Sequence, residues 1–218
     1  MNKKKIGKVS FPLVLLICYL AFWILLAINP RDRTVWLLEN VLAFFAVPLF
    51  IWTYYKFRFS NVAYFCIFIF MMLHTLGAHY TYSNVPFGSW IQDYFGLARN
   101  HYDRLVHFSF GLLMIVPIRE FFLKIAKAKG IWSYYLPFSI IVSFSAFYEV
   151  GEWLTEFLVG PAKNLVFLGT QGDIWDASKD MFLATFGSMI TLIVMFIGKA
   201  KHKTMNWKER IKKGFAPI

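Results

Sequence analysis

The chain alternates between long apolar runs and short polar joints. The runs lie at about 11–28, 36–55, 61–79, 103–123, 132–158 and 174–197. Each has roughly the 18 or more residues that cross about 30 Å of hydrocarbon as a helix. A helix satisfies its own backbone hydrogen bonds in lipid, so the pattern predicts an all-α fold. The expected architecture is a polytopic helical membrane bundle of about six transmembrane helices. Residues 1–198 form a single transmembrane domain, and 199–218 form a basic cytoplasmic tail.

The joints are NPRDRT (29–34), KFRFS (56–60), a longer loop over about 80–102, KIAKAKG (124–130) and VGPAKNLVFLGTQGD (159–173). Pro30, Pro86 and Pro161 and Gly130, Gly160 and Gly172 punctuate them as chain breakers do. Pro12, Pro48, Pro117 and Pro137 fall within or near spans, where membrane helices tolerate them. The long loop, with Gly88 and Gly96 as hinges, reads as a lid over one end of the bundle.

Of 218 residues, 58% are apolar and 20% aromatic, which excludes an ordinary soluble domain. The first run follows a basic start but is longer than a signal-peptide core, and no A-x-A cleavage site follows. It is expected to stay as a helix. Cys18 and Cys66 lie mid-run, without disulfide or metal spacing, and read as small apolar packers.

The net charge of +11 suggests nucleic acid only until the charges are located. They sit at chain ends and in joints, so they report topology and anionic headgroups rather than nucleic acid. With a cytoplasmic N-terminus, the inside carries Lys3, Lys4, Lys5, Lys8, Lys56, Arg58, Lys124, Lys127, Lys129 and the basic tail. The outside carries only Arg31, Arg33, Arg99 and Lys163. This positive-inside bias predicts that both termini are cytoplasmic. The tail, with Trp207, Ile211 and Phe215 among its lysines, reads as a topology anchor or an interfacial helix.

Ionisable residues within spans are costly and mark function. Here they gather at the outer ends of spans three to six. His74 and His79 close the third span. His101, Asp103, Arg104 and His107 open the fourth. Tyr148, Glu149, Glu152 and Glu156 end the fifth. Gln171, Asp173, Asp176, Lys179 and Asp180 open the sixth. Asp103 and His107 are four apart, Glu149 and Glu152 three apart, and Asp173, Asp176 and Asp180 follow a 0, 3, 7 pattern, so each set is expected to share a helix face.

Carboxylates crowded in a medium of low dielectric repel one another, and a cation relieves the conflict. Carboxylate and imidazole groups on facing helices are how bundles build metal sites. His74, His107, Glu149, Glu152, Asp176 and Asp180 are the candidate metal ligands. With no thiolate in the set, zinc, iron or manganese would suit it. Glu149, Glu152, His107 and Asp103 are the candidate catalytic acid–base groups. Blander roles stand beside these. Asp103 can pair with Arg104 or Arg99, Asp173 can cap a helix, and Lys179 can neutralise Asp176 or Asp180. Trp90, Trp153, Trp175, Tyr80, Tyr82 and Tyr102 read as an aromatic belt at the outer interface.

The motifs HTLGAHYTY, YDRLVHFSFG, YEVGEW and GTQGDIWDASKDM, in that order, resemble the bacterial inner-membrane YjdF family. The likeness covers about residues 10–198. It implies a multi-pass protein of the bacterial cell (inner) membrane and carries no established reaction. A more distant likeness, over roughly 100–190, is to VanZ-like membrane proteins. It rests on DRLVHF (103–108), Glu149 or Glu152, Asp176 and Gly187. Trp153 stands where that family has Gln, and Asp180 where it has Asn. This likeness implies a cell-envelope setting.

The leading expectation is a metal-dependent hydrolase or transferase acting on a lipid or lipid-linked envelope molecule. The partners are then membrane lipid and that substrate, with no nucleic acid. The alternatives are a cation- or proton-binding carrier or sensor, and a non-catalytic protein whose polar core only locks helices together.

Overall fold

The computed structural model describes residues 10–159 and 171–212. Among them are seven helices and no strand: α1 (Phe11–Ala27), α2 (Arg33–Lys56), α3 (Asn61–Tyr80), α4 (Pro86–Phe95), α5 (Tyr102–Lys124), α6 (Trp132–Val159) and α7 (Asp176–Lys212). The six expected apolar runs each become a helix, so the helical membrane bundle stands. Four helices are long and apolar enough to cross a bilayer: α2, α3, α5 and the stretch Asp176–Lys199 of α7. At 17 residues α1 is shorter. At 28 residues α6 has the length but carries the acidic outer end.

Local chemistry sets the boundaries. Asp32 caps α2, its carboxylate accepting from the Thr34 and Val35 N–H groups at 2.8 and 3.0 Å, so that helix starts earlier than its apolar run. Ser60 caps α3 through the Ala63 N–H. Thr81, in the left-handed conformation, ends α3.

Two expectations change. The long loop is not irregular throughout: it holds α4, which starts on Pro86 and stops at Gly96 with φ +62°. Residues 174–175 form a turn before α7 rather than part of it. The α7 backbone runs without a break to Lys212. The N-terminal lysines, residues 160–170 of the fifth joint and Phe215 lie outside the described residues. So do the side chains of Glu156, Trp207 and Ile211.

The bundle is organised around α5, which packs against α3, α6 and, most extensively, α7. Glycine makes that last contact possible. A Cβ at Gly111 would stand 1.8 Å from the Ala184 carbonyl oxygen, and one at Gly187 2.4 Å from that of Phe108. Backbones this close are how helices associate in lipid, where no hydrophobic effect drives them together. Thr191 seals the seam by donating to the Leu112 carbonyl at 2.8 Å. Ile115 and Ile141 are wholly buried in the core. Phe45, Phe147, Phe157 and Val194 point outward, as they should on a surface that meets lipid.

Candidate functional site

The outer end of the bundle is fixed by Asn100, which is fully buried. Its amide donates to the Val85 carbonyl at 3.1 Å and the Ser89 hydroxyl at 3.2 Å, while its side-chain oxygen accepts from the Tyr102 N–H at 3.0 Å. Its backbone N–H and carbonyl pair with the Gln171 amide, both at 2.9 Å. One residue thus ties α4, the start of α5 and the turn before α7. Gly88 is required for this, since a Cβ there would stand 2.0 Å from the Asn100 oxygen.

On this frame the first two turns of α5 place Asp103 and His107 on one face, opposite Asp180 of α7 and Glu149 of α6. His107 Nε2 lies 3.6 Å from Asp103 Oδ1 and 3.5 Å from Glu149 Oε1. One ligand atom each from Asp103, His107 and Asp180 lie within 4.8 Å of one another, and all three residues are buried. Asp180 is 2% exposed, and its Oδ1 and Glu149 Oε1 have no hydrogen-bond partner among the described residues. Glu152, half-buried on the next turn, lies against Glu149. Buried carboxylate oxygens without partners are costly, and such groups normally pair or hold a metal.

A second layer closes the mouth with ion pairs. Asp176 is bound by Arg99 and, at 3.3 Å, by Arg104. Arg104 also grips Asp173, which Lys179 reaches at 2.6 Å. The expected Asp103–arginine bridge therefore does not form: the arginines bond the α7 side of the mouth and leave Asp103 facing His107. Lys179 likewise serves Asp173 rather than Asp176 or Asp180. Asp173 also accepts from the Trp175 N–H at 3.1 Å, just ahead of α7. The Lys179 hydrogen bond, then those from Trp175 and Arg104, hold its carboxyl well below the usual range. Burial, then the charges of Arg104 and Arg99, hold His101 below the ordinary imidazole value.

A third layer lies on the other side of the cluster. His74 Nε2 is 3.0 Å from the Glu39 carbonyl oxygen, and its Nδ1 is 2.5 Å from the Tyr82 hydroxyl. A carbonyl only accepts, so Nε2 carries the proton and Nδ1 accepts from Tyr82. Both nitrogens are thereby engaged, and His74 stands apart from the Asp103–His107–Asp180 group. The Tyr148 hydroxyl donates to the Glu39 carboxylate at 2.7 Å, and its ring lies 5.7 Å from that of His107. A cavity of about 60 Å³ separates this layer from the cluster, lined by His74, Tyr82, His107, Ser145 and Tyr148 among apolar neighbours. It has room for about two waters at roughly 30 Å³ each.

The structure thus brings Asp103, His107, Glu149, Glu152 and Asp180 together, with Asp176 at the rim and His74 behind. His79 binds the Leu26 carbonyl at 2.7 Å, joining α3 to α1. Trp90, Trp153 and Trp175 are exposed as an aromatic belt requires. Tyr82 and Tyr102 are not part of the belt: both are buried, and the Tyr102 hydroxyl donates to the Leu73 carbonyl at 2.9 Å. Sequence reasoning missed Glu39, although a lone acid in VWLLENVLAFFAV was a visible signal. It is 3% exposed and makes α2 a contributor to the site.

Comparison with known proteins agrees with this architecture. Residues 11–201 match the family described as "Predicted membrane protein (DUF2238)". The chain is 34% identical over 169 residues to "Inner membrane protein YjdF" of Escherichia coli (strain K12), covering 77% of this chain and 80% of that protein. No solved structure matches. The expected setting, a multi-pass protein of the inner membrane, agrees with both matches and with the apolar helices. The chain belongs to the DUF2238 family of predicted membrane proteins, to which YjdF is its relative.

Proposed function

We propose that Asp103, His107, Glu149 and Asp180 hold one divalent metal ion within the outer leaflet, and that the protein acts there on a lipid or lipid-linked envelope molecule by hydrolysis or group transfer. The observation that carries this reading is a pair of buried oxygens, Asp180 Oδ1 and Glu149 Oε1, that lack a hydrogen-bond partner among the described residues and lie beside His107. The donor set of three carboxylates and one imidazole suits zinc, iron or manganese. When bound, such an ion supplies Lewis-acid stabilisation at an ester or phosphoryl oxygen.

The protein's own groups do the rest. Glu152, next to Glu149, moves protons between the cluster and the substrate. Asp176, neutralised by Arg99 and Arg104, positions the rim rather than binding metal. The ion pairs of Arg99, Arg104 and Lys179 with Asp173 and Asp176 form the polar rim that a head group meets. His74, locked by Glu39 and Tyr82, stiffens the back wall. The positive-inside charge bias, with six crossings and both termini cytoplasmic, puts this mouth on the outer side. The motif likeness to VanZ-like proteins supports an envelope substrate.

Elemental analysis of detergent-purified protein tests the metal. About one zinc, iron or manganese per chain is expected, and it is lost in Asp180→Asn and His107→Ala while both variants stay folded. A folded wild type that takes up none of the three metals on incubation contradicts the reading.

A further inference from the structure

A second site lies at the opposite end of the bundle and shares no residue with the cluster. The outer ends of α1 and α2 are closed together by Trp23, whose indole N–H donates to Asn40 Oδ1 at 2.5 Å and whose ring lies 5.5 Å from that of Trp36. Near the basic end the Tyr54 hydroxyl donates to Ser10 Oγ at 3.3 Å. Both helices rest on α3 between these points, and a half-open crevice of about 320 Å³ remains between them.

Leu13, Leu16, Phe50, Ile51, Ile67 and Met71 make its walls apolar. Tyr19, midway along α1, is its one polar residue away from the basic end, and its hydroxyl is engaged by Thr75 at 3.2 Å. Ser10 and Tyr54 lie at the end from which α1 starts and α2 leaves. There Arg58 stacks its guanidinium 5.1 Å over the Tyr54 ring. Lys56 and Arg58 are exposed beside it. The nearby carboxylate, Glu120, is already engaged by Ser60 and by Lys124 at 2.9 Å, so it does not neutralise Arg58. The crevice thus has an apolar shaft open to the side and a cationic, hydroxyl-bearing head. That is the division of an anionic phospholipid.

We propose that this crevice binds one anionic phospholipid of the leaflet on the basic, cytoplasmic side. One acyl chain lies between α1 and α2 over α3, and the phosphate lies on Arg58 with the Ser10 and Tyr54 hydroxyls beside it. The site is independent of the metal cluster, and its failure would leave that reading untouched.

Native mass spectrometry of the full chain in neutral detergent tests it, with phosphatidylglycerol and phosphatidylcholine offered at equal concentration. One retained phosphatidylglycerol per chain is expected, favoured about tenfold or more over phosphatidylcholine. Leu16→Trp, on the partly exposed α1 wall, fills the shaft and should cut retention of both lipids about tenfold. Arg58→Gln should bring the two lipids to near-equal retention. Unchanged thermal unfolding certifies both variants as folded. The proposal is overturned by equal retention of the two lipids in wild type, by retention that neither variant alters, or by a rise in lipid retention on deleting residues 1–9. The last result would make the N-terminal segment the occupant.

Discussion

The two ends of the α5 helix carry charge in opposite ways. At the basic end, Glu120 accepts from the Ser60 N–H, the Ser60 hydroxyl and Lys124, and Arg119 lies over the Tyr134 ring at 4.5 Å. The one acid there is paired, and Lys124 is open to water. At the other end, Asp103, Glu149, Glu152 and Asp180 face one histidine, while the two arginines are committed to Asp173 and Asp176. The same helix therefore carries a paired, partly water-exposed acid at one end and a group of buried, under-satisfied carboxylates at the other. Stability alone favours the first arrangement. The second persists in proteins where a ligand or a reaction makes use of it.

The contrast can be broken from either end. The largest effect is expected at the buried rim: Arg99→Met leaves Asp176 its longer Arg104 contact at 3.3 Å and should cost about 3 kcal/mol, the low end of the penalty for breaking a buried pair. Thermal or denaturant unfolding in detergent measures it. Next, Asp180→Asn should stabilise metal-free protein by about 1–2 kcal/mol, because it removes a repelling carboxylate with an unpartnered oxygen. A core whose polar groups serve only to hold helices together requires the opposite sign. At the basic end, Lys124→Gln removes a half-exposed pair and should cost about 0.5 kcal/mol.

The smallest effect is a pH dependence at the mouth. The folded state holds Asp173 below its ordinary value of 3.8. Its stabilising contribution is complete above that value and is lost as pH falls through the lowered one. Metal-free wild type should therefore lose more stability than Asp173→Asn between neutral pH and the region below about 3.8. Parallel melting curves would show otherwise.

Much of the fold was legible because apolar run length is a direct measure of bilayer crossing. Helix α4 was not, since ten residues of mixed polarity with Pro86 at their head read equally as loop. The acids of α5, α6 and α7 were legible as a group. Which of them face one another was not, because that depends on how far each helix is rotated about its axis. The Gly111 and Gly187 contacts set that rotation for α5 and α7, and they turn Asp180 toward His107 and Asp176 toward the arginines. Glu39 was readable as the lone acid of its apolar run. His74 was singled out by depth, yet its bonds to Glu39 and Tyr82 come from α2 and from the turn after α3, and no local spacing announces either.

The central claim is that Asp103, His107, Glu149 and Asp180 form one metal centre. X-ray absorption at the zinc edge of zinc-loaded protein tests it most directly. The account predicts a shell of nitrogen and oxygen donors at about 2.0–2.2 Å with one imidazole and no sulfur, the imidazole signal vanishing in His107→Ala. A spectrum without an imidazole, or one that His107→Ala leaves unchanged, would contradict it.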